Sequence, residues 1–225
     1  GGGVESCPDL VHHLKWVRRA HKADSDLRRL RRRLERTDEG LVPRFRTLLR
    51  LLGQWDYVRG WSLTAKGEQL RFVYNELDLL LTEAVSRGMF DDLNGSELAA
   101  VTSMFTYEAR RLDAGQPAPP GEVGERIKQI DRLGLELTAA ERGAGLPETR
   151  LPEAGFASTA YAWASGHDLE DLFDDDMGAG DFVRNCRQLI DVMRQLRDEF
   201  PRLAASAADG IRKLDRGVVA AGGRS

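Results

Sequence analysis

The sequence FVRNCRQLIDVMRQLRDE, residues 182–199, contains the pattern that most clearly sets the fold. Its apolar residues recur three or four positions apart, the spacing that places side chains on one face of an α-helix. These residues are Phe182, Cys186, Leu189, Ile190, Met193 and Leu196. Charged and amide side chains occupy most of the other positions, so the pattern predicts a long amphipathic helix that buries one face.

Helical patterns continue on both sides of this segment. We predict helices over 122–142 and 153–165, separated by a Gly- and Pro-containing break, and a further helix over 202–216. Leu, Ala, Arg and Glu dominate the composition, which favours helix over strand. A chain of 225 residues is also long enough to bury a substantial core. We therefore predict an all-α fold, a multi-helix bundle.

Two shorter helices are predicted upstream of residue 122. The first covers 77–87 and stops at Gly88, a residue type that often ends helices. Its apolar positions are Leu77, Leu80, Leu81, Ala84 and Val85. The second starts at the turn Asn94–Glu97 and is predicted to reach about Arg110. The Pro-rich segment 113–121 is the best linker candidate.

The pattern changes between residues 39 and 75. A helix is predicted first, with an inward face of Leu41, Val42, Phe45, Leu48, Leu49 and Leu52. Tyr57-Val58 and Trp61-Ser62-Leu63 flank Arg59-Gly60, which predicts a short two-stranded hairpin. Thr64 can cap the helix that follows. The order helix, hairpin, helix is typical of part of a winged-helix unit.

The N-terminal segment is basic, although the whole chain has a net charge of −3. Between Lys15 and Arg36 there are ten basic residues and three acidic ones. Apolar residues near a seven-residue repeat form a seam, as in a coiled coil, at Leu10, Leu14, Val17, Ala20, Leu27 and Leu34. The basic side chains fit contact with nucleic acid, and they equally fit the solvated face of a coiled-coil helix. The residues alone leave both interpretations open.

Motifs for catalysis or metal binding are missing from the sequence. It has no G-x-x-x-x-G-K-[ST] phosphate loop, no G-x-S-x-G and no H-E-x-x-H. Cys7 precedes His12, His13 and His21 at a spacing that fits no standard zinc site. The acidic run Asp174–Asp176 lacks the pattern of a calcium loop, so a solvated loop is the simpler interpretation. We expect no catalytic residue and no metal site in this chain.

The sequence contains no apolar run long enough to span a bilayer. It begins with Gly1-Gly2-Gly3 and shows no basic flank followed by an apolar stretch, which a secretory signal requires. We therefore expect a cytoplasmic protein that has no membrane partner.

Several segments together resemble a known family. They are LDLLLTE (77–83), GMFDDL (88–93), SELAAV (96–101), FTYEAR (105–110), AYAWASG (160–166) and GDFVR (180–184). In order and spacing they resemble the DSHCT domain, found at the C-terminus of superkiller-type, exosome-associated DEVH-box RNA helicases. CPD (7–9) and HLKW (13–16) are similar to the HelY-like subgroup of that family.

The resemblance implies a division of the chain into four parts. Residues 1–38 would be a basic helical arm, the end of an arch-type insertion that projects from the bundle. Residues 39–75 would be the winged-helix-like segment, and 76–219 the DSHCT helical bundle. Residues 220–225 are predicted to be a disordered tail.

The resemblance also implies a function. The chain would be the C-terminal RNA-channel region of an ATP-dependent 3′-to-5′ RNA helicase of the HelY-like family. Its expected partners are single-stranded RNA, the RecA-like motor domains that are absent from this chain, and an RNA-degradation complex. ATP and Mg²⁺ are expected only in those motor domains, so the chain itself should need no cofactor. The alternative is a stand-alone helical adaptor that binds protein through the N-terminal seam.

In that family, a so-called ratchet helix meets RNA that leaves the motor, and it matches residues 182–199. The RNA-binding residues that this implies are Arg184, Arg187, Gln188, Asp191 and Arg194. The family's basic position falls on Gln188, with Arg187 beside it, and its acidic position falls on Asp191. The alternative is an ordinary amphipathic helix whose outer charges are only solvated.

Overall fold

The computed structural model describes residues 42–73, 77–108, 119, 121–172 and 178–221. Internal contacts divide the chain into two units, Gly1–Arg50 and Leu51–Ser225. Several predicted features lie outside the described residues. They are the basic arm Lys15–Arg36, Cys7 with its three histidines, the acidic run Asp174–Asp176 and most of the linker 113–121.

Helix α1 covers residues 42–54. The sequence places Val42, Phe45 and Leu48 on its inward face, but these side chains are 44%, 50% and 40% exposed, so that prediction is wrong for them. Leu51, at 4% exposure, is a buried residue of this helix. Helical spacing identifies an apolar face, but it does not say what covers that face.

The predicted hairpin is present. Strand β1 (Val58–Arg59) pairs antiparallel with β2 (Ser62–Leu63). Gly60 in the turn has a φ of +62°, a conformation that glycine adopts without steric cost. Thr64 caps helix α2 (Ala65–Leu70) through its side-chain oxygen, as the sequence predicts. The order helix, hairpin, helix matches the sequence pattern, while the winged-helix assignment itself stays a prediction.

Seven further helices form a bundle. They are α3 (Asp78–Ser86), α4 (Gly95–Ser103), α5 (Glu122–Gly143), α6 (Ala157–Ala164), α7 (Ala179–Glu199), α8 (Ala204–Leu214) and α9 (Gly217–Ala221). In the described part of the chain the only strands are β1 and β2. The predicted all-α bundle is therefore confirmed. None of the described helices is both long and apolar enough to cross a membrane.

Helix α4 lies at the centre of the bundle, where it packs against α6 and α8. A capping box starts it. The side chain of Asn94 accepts hydrogen bonds from the backbone N–H groups of Ser96 and Glu97, at 2.9 and 3.1 Å. In return, the Glu97 carboxylate accepts the N–H of Asn94 at 2.9 Å. These bonds satisfy backbone donors at the start of α4 that have no partner within the helix.

Helix α4 ends at Ser103 and does not reach Arg110, so the predicted end is wrong. Met104 and Phe105 follow in a turn, and both are buried in the core, at 0% and 1% exposure. The backbone carbonyl of Met104 accepts a hydrogen bond from Glu153 at 3.0 Å. Packing against this later segment overrides the local helical tendency.

The apolar stripe of α7 faces the core, as predicted. Its members Phe182, Cys186, Leu189, Ile190, Met193 and Leu196 are all 4% exposed or less. Phe182 contacts two other aromatic rings of the core, those of Phe156 and Trp163. The burial of this stripe leaves the polar side of α7 toward solvent.

Helices α4 and α8 approach so closely that their contact requires glycine. A Cβ atom placed on Gly210 of α8 would lie 2.6 Å from the carbonyl oxygen of Gly95 in α4. It would also collide with the methyl group of Met193 in α7. Three helices therefore meet at a point that has no room for a side chain.

A buried carboxylate connects the hairpin region to the bundle. Glu83 of α3 is 4% exposed. It accepts a hydrogen bond from the Tyr57 hydroxyl at 2.8 Å and pairs with Lys66 at 2.5 Å and Arg87 at 2.8 Å. Arg87 also forms a bidentate pair with Glu136 of α5, at 2.8 and 2.9 Å. Burying a carboxylate is costly unless it is paired, and here three donors share it.

The same network shifts the pKa values of Tyr57 and Glu136, and it raises that of Arg87, chiefly through the hydrogen bonds to Glu136. Burial and the neighbouring Glu83 carboxylate raise the pKa of the Tyr57 hydroxyl well above its usual value, so it stays a donor in the folded state. Hydrogen bonds from Arg87 lower the pKa of Glu136. At neutral pH the Tyr57 hydroxyl can therefore donate, and the Glu136 carboxylate can accept from Arg87.

The Gly210→Ala variant should be less stable than the wild type by about 1–3 kcal/mol, the usual cost of forcing a methyl group into a packed core. Gly143→Ala is the matched control, because Gly143 ends α5 and a Cβ there would meet nothing within 4 Å. Denaturation by urea measures both free energies of unfolding. Equal values for the two variants would contradict the close α4–α8 contact.

Tyr57→Phe should reduce stability at pH 7 by about 1–3 kcal/mol, because it removes a buried hydrogen bond to a carboxylate. The difference should shrink above about pH 10, where tyrosine ionises in the unfolded chain but Tyr57 stays protonated in the folded one. Only the wild type loses the stabilising contribution of the Tyr57 hydrogen bond as pH rises, because phenylalanine does not titrate. Unfolding free energies measured at about pH 8 and about pH 10.5 test this, and a gap independent of pH would be the contrary result.

Candidate nucleic-acid interface

A groove of about 580 Å³ runs along α7, where the end of α8 and the short α9 lie beside it. It is lined by Arg187, Ile190, Asp191, Arg194, Asp215, Val219 and Ala220. Ile190 and Val219 are only 4% and 2% exposed, so they form an apolar floor. The charged side chains stand above this floor at the rim.

The groove contains three of the five residues that the sequence predicts to bind RNA. Arg187, Asp191 and Arg194 are four and three positions apart, a spacing that puts them on one face of α7. Arg184 and Gln188 also lie on α7 but do not line the groove. The predicted set is therefore divided, with Arg187, Asp191 and Arg194 together and the other two apart.

Two of the predicted arginines are engaged in pairs within α7. Arg194 lies 2.8 Å from Asp191, and Arg184 lies 3.0 Å from Asp181. All four side chains are at least a third exposed, and exposed pairs of this kind contribute little to stability. A ligand could therefore replace either pair at small cost.

Arg187 and Asp215 differ from these pairs. One guanidinium nitrogen of Arg187 donates to the carbonyl oxygen of Val219 at 3.4 Å, and no described residue forms an ion pair with it. Nor does the Asp215 carboxylate form a hydrogen bond or an ion pair with any residue that the structure describes. A guanidinium has five N–H donors, so Arg187 retains donors for a ligand.

This arrangement can bind a ligand, but it offers no reactive group. Cys186 faces the core with 0% exposure, and burial raises the pKa of its thiol to about 12. A thiol in that state is protonated at neutral pH and is a poor nucleophile. Across the described ranges, no three His, Cys, Asp or Glu side chains are grouped to hold a metal ion.

Trp163 of α6 contacts the segments on both sides of the groove, although it does not line the groove itself. Its indole N–H donates to the carbonyl oxygen of Leu214 at 2.9 Å, which fixes the end of α8. Its ring packs edge-on against Phe182 of α7, with centroids 5.2 Å apart. The guanidinium of Arg216 lies 3.6 Å above the same ring. Trp163 therefore contacts α7, the end of α8 and the start of α9.

The sequence did not predict the α9 side of the groove. It indicated one helix over 202–216 and a disordered tail from 220, whereas α9 covers Gly217–Ala221 and includes the first two tail residues. The remaining tail residues lie outside the described part of the chain. The glycine at position 217 is the sequence signal that could have indicated a break before a new short helix. In the structure Gly217 has a φ of +50°.

Comparison with known proteins identifies a matching domain family over most of the chain. The DSHCT (NUC185) domain matches residues 60–221. The match starts in the β1–β2 turn and ends with α9, so it includes every residue that lines the groove.

Three similar proteins have names that describe helicases. The chain is 32% identical over 234 residues to "Probable helicase HelY" of Mycobacterium leprae, covering 96% of the chain and 25% of that protein. It is 20% identical over 200 residues to "Antiviral helicase SKI2" of Saccharomyces cerevisiae, covering 85% of the chain and 16% of that protein. It is 24% identical over 153 residues to "Exosome RNA helicase MTR4" of Mus musculus, covering 63% of the chain and 14% of that protein. The chain thus spans about a quarter of the length of the HelY relative.

Trp163→Phe should lower the free energy of unfolding by about 1–3 kcal/mol, because the buried carbonyl of Leu214 loses its donor. Trp61→Phe is the control, since Trp61 is 85% exposed and exposed substitutions usually change stability by less than about 0.5 kcal/mol. Urea denaturation measures both. A Trp163 variant no less stable than the Trp61 variant would show that the indole does not hold the end of α8.

Proposed function

The chain belongs to the DSHCT (NUC185) domain family, and on that basis we propose that it is the single-stranded-RNA-contacting helical region of a HelY-like, ATP-dependent RNA helicase. In this proposal the bundle supports the motor domains of a longer protein. RNA leaving the motor passes along the groove between α7 and α9. The names of the helicase relatives support the parent activity.

One observation carries the proposal. Three residues that the family resemblance assigns to RNA contact, Arg187, Asp191 and Arg194, line the groove of about 580 Å³ beside α7. The opposite face of α7 is buried in the core, so this helix can present its polar face without losing its anchorage. A rigid helix of this kind holds contact residues more precisely than a loop does.

Each part of the groove suits a different part of a nucleotide. Arg187, which has no carboxylate partner among the described residues, can bind phosphate through two N–H donors or stack on a base. Asp191 and Asp215 can accept hydrogen bonds from amino groups at base edges. Ala220, which is partly exposed beside the nearly buried Ile190 and Val219, can contact the apolar face of a base or a ribose.

The balance of charges in the groove predicts that this chain alone binds RNA weakly. The groove contains two arginines and two aspartates, so it has no net positive charge to attract a polyanion. Single-stranded channels usually combine contributions from several surfaces. We propose that the motor domains supply the opposing wall, and that α7 orients RNA more than it attracts it.

The remaining parts of the proposal concern the parent protein. The sequence has no phosphate loop of the motor type, so ATP and Mg²⁺ are assigned to the motor domains. An RNA-degradation complex as partner and a cytoplasmic location are proposed on the same family grounds. The chain itself is assigned no catalytic step.

The second candidate function is a helical adaptor that binds protein. The exposed apolar side chains of Val42, Phe45 and Leu48 in α1 favour it. The N-terminal seam on which it also depends lies outside the described residues. Salt dependence separates the two functions, because phosphate contacts weaken steeply as salt rises, while contacts between apolar surfaces do not.

The double variant Arg187→Ala/Arg194→Ala should bind a fluorescent single-stranded RNA about three- to tenfold more weakly than the wild type, because one or two phosphates are no longer bound by a guanidinium. The slope of log affinity against log salt should fall by about one for each of these phosphates. Fluorescence anisotropy at about 50 and 200 mM salt measures both quantities.

The control is Arg142→Ala/Arg212→Ala, which removes the same charge from two exposed ion pairs outside the groove. It should bind RNA nearly as the wild type does. If the two double variants weaken binding equally, the effect is one of net charge and the groove is not the RNA site.

A further inference from the structure

Arg216 is the second of the two residues between α8 and α9, and its side chain contacts the end of α6. Its guanidinium lies 3.6 Å above the indole of Trp163. One of its nitrogens donates to the carbonyl oxygen of Trp163 at 2.9 Å and also to that of His167. Stacking and carbonyl contacts together fix both the position and the orientation of a planar guanidinium.

The backbone next to Arg216 is equally constrained. The carbonyl oxygen of Arg216 accepts the N–H groups of Val219 and Ala220, at 3.1 and 3.4 Å, so α9 starts from this residue. Gly217 has a φ of +50°, and a Cβ there would lie 3.3 Å from the indole of Trp163. The turn into α9 therefore rests on the same ring as the Arg216 side chain.

Helix α9 needs such an anchor. It has only five residues, and a helix that short is unstable in water without tertiary contacts. Helix α9 also forms part of the groove. Its Val219 is 2% exposed and lines the groove, and the carbonyl oxygen of Val219 accepts the hydrogen bond from Arg187. The position of α9 therefore affects both the floor of the groove and the orientation of Arg187.

We infer that Arg216 is a positioning residue for RNA contact: by binding the end of α6, it holds α9 where Val219 closes the groove and orients Arg187. Arg216 does not itself line the groove, so it acts through α9 and not by touching RNA. The part of this inference that concerns RNA rests on the proposed function. The part that concerns α9 does not.

Geometry and charge can be separated at this position. Arg216→Lys keeps the positive charge but loses the planar guanidinium that lies over the indole while one of its nitrogens donates to two carbonyl oxygens. Arg216→Ala loses both charge and geometry. Arg212→Ala is the charge control. Arg212 lies in the last turn of α8, close to Arg216 in sequence, and it pairs with Asp209. These three variants of the 225-residue chain are compared with the wild type.

Two measurements are made on each variant. Hydrogen exchange at the amides of Val219 and Ala220 reports whether α9 is held, because their hydrogen bonds to Arg216 open when α9 detaches. Anisotropy with a single-stranded RNA reports the groove. We expect Arg216→Ala and Arg216→Lys both to speed exchange at these amides and to weaken RNA binding about fivefold, the effect of removing one hydrogen bond. Arg212→Ala should change neither.

Unchanged exchange at α9 in Arg216→Ala would overturn the inference, whatever happens to RNA binding. Wild-type behaviour of Arg216→Lys in both measurements would also overturn it, since charge alone would then suffice. Faster exchange without weaker RNA binding would overturn the RNA part, provided that Arg187→Ala still weakens binding. If Arg187→Ala has no effect either, the proposed function fails, and the exchange rates alone decide whether Arg216 holds α9.

Discussion

The indole of Trp163 is the contact on which the arrangement of the C-terminal helices depends. Its N–H donates to the last carbonyl of α8, its ring packs nearly perpendicular to that of Phe182 in α7, and Arg216, just before α9, lies over its face. Three elements from different parts of the chain thus meet one rigid side chain. Because an indole combines a large apolar surface with a single donor, it can set their distances and the orientation of α8 together. The groove beside α7 lies between α7 and the α8–α9 segment that Trp163 contacts.

Helix α7 connects this packing to the proposed RNA site because its two sides have different surroundings. One side is buried to 4% exposure or less along the apolar stripe, and the other carries Arg187, Asp191 and Arg194 into the groove. Alternating charges and an apolar floor favour specific orientation of a ligand over strong attraction. Under the proposed function, such a surface would orient a strand without binding it tightly.

The sequence predicted the bundle well wherever local periodicity and burial agree. Helix α5 was predicted over 122–142 and is observed at Glu122–Gly143, and the family resemblance drawn from short segments is confirmed by the match over 60–221. The sequence failed where contacts between distant segments decide the structure. Helix α4 ends before Phe105, which is buried in the core, and α9 forms where Val219 is buried and Arg216 lies over Trp163. Periodicity placed Arg187, Asp191 and Arg194 on one helix, but only the structure shows the groove beside them.

Mapping of RNA cross-links tests most directly whether the groove beside α7 is the RNA site. The 225-residue chain is bound to a single-stranded RNA that contains a photoreactive base, irradiated and digested, and the linked peptides are identified by mass spectrometry. We expect links concentrated in residues 187–194 of α7 and 215–220 at the α8–α9 turn, the two segments that line the groove. Links concentrated in α3 or α5, with none in α7, would contradict this assignment.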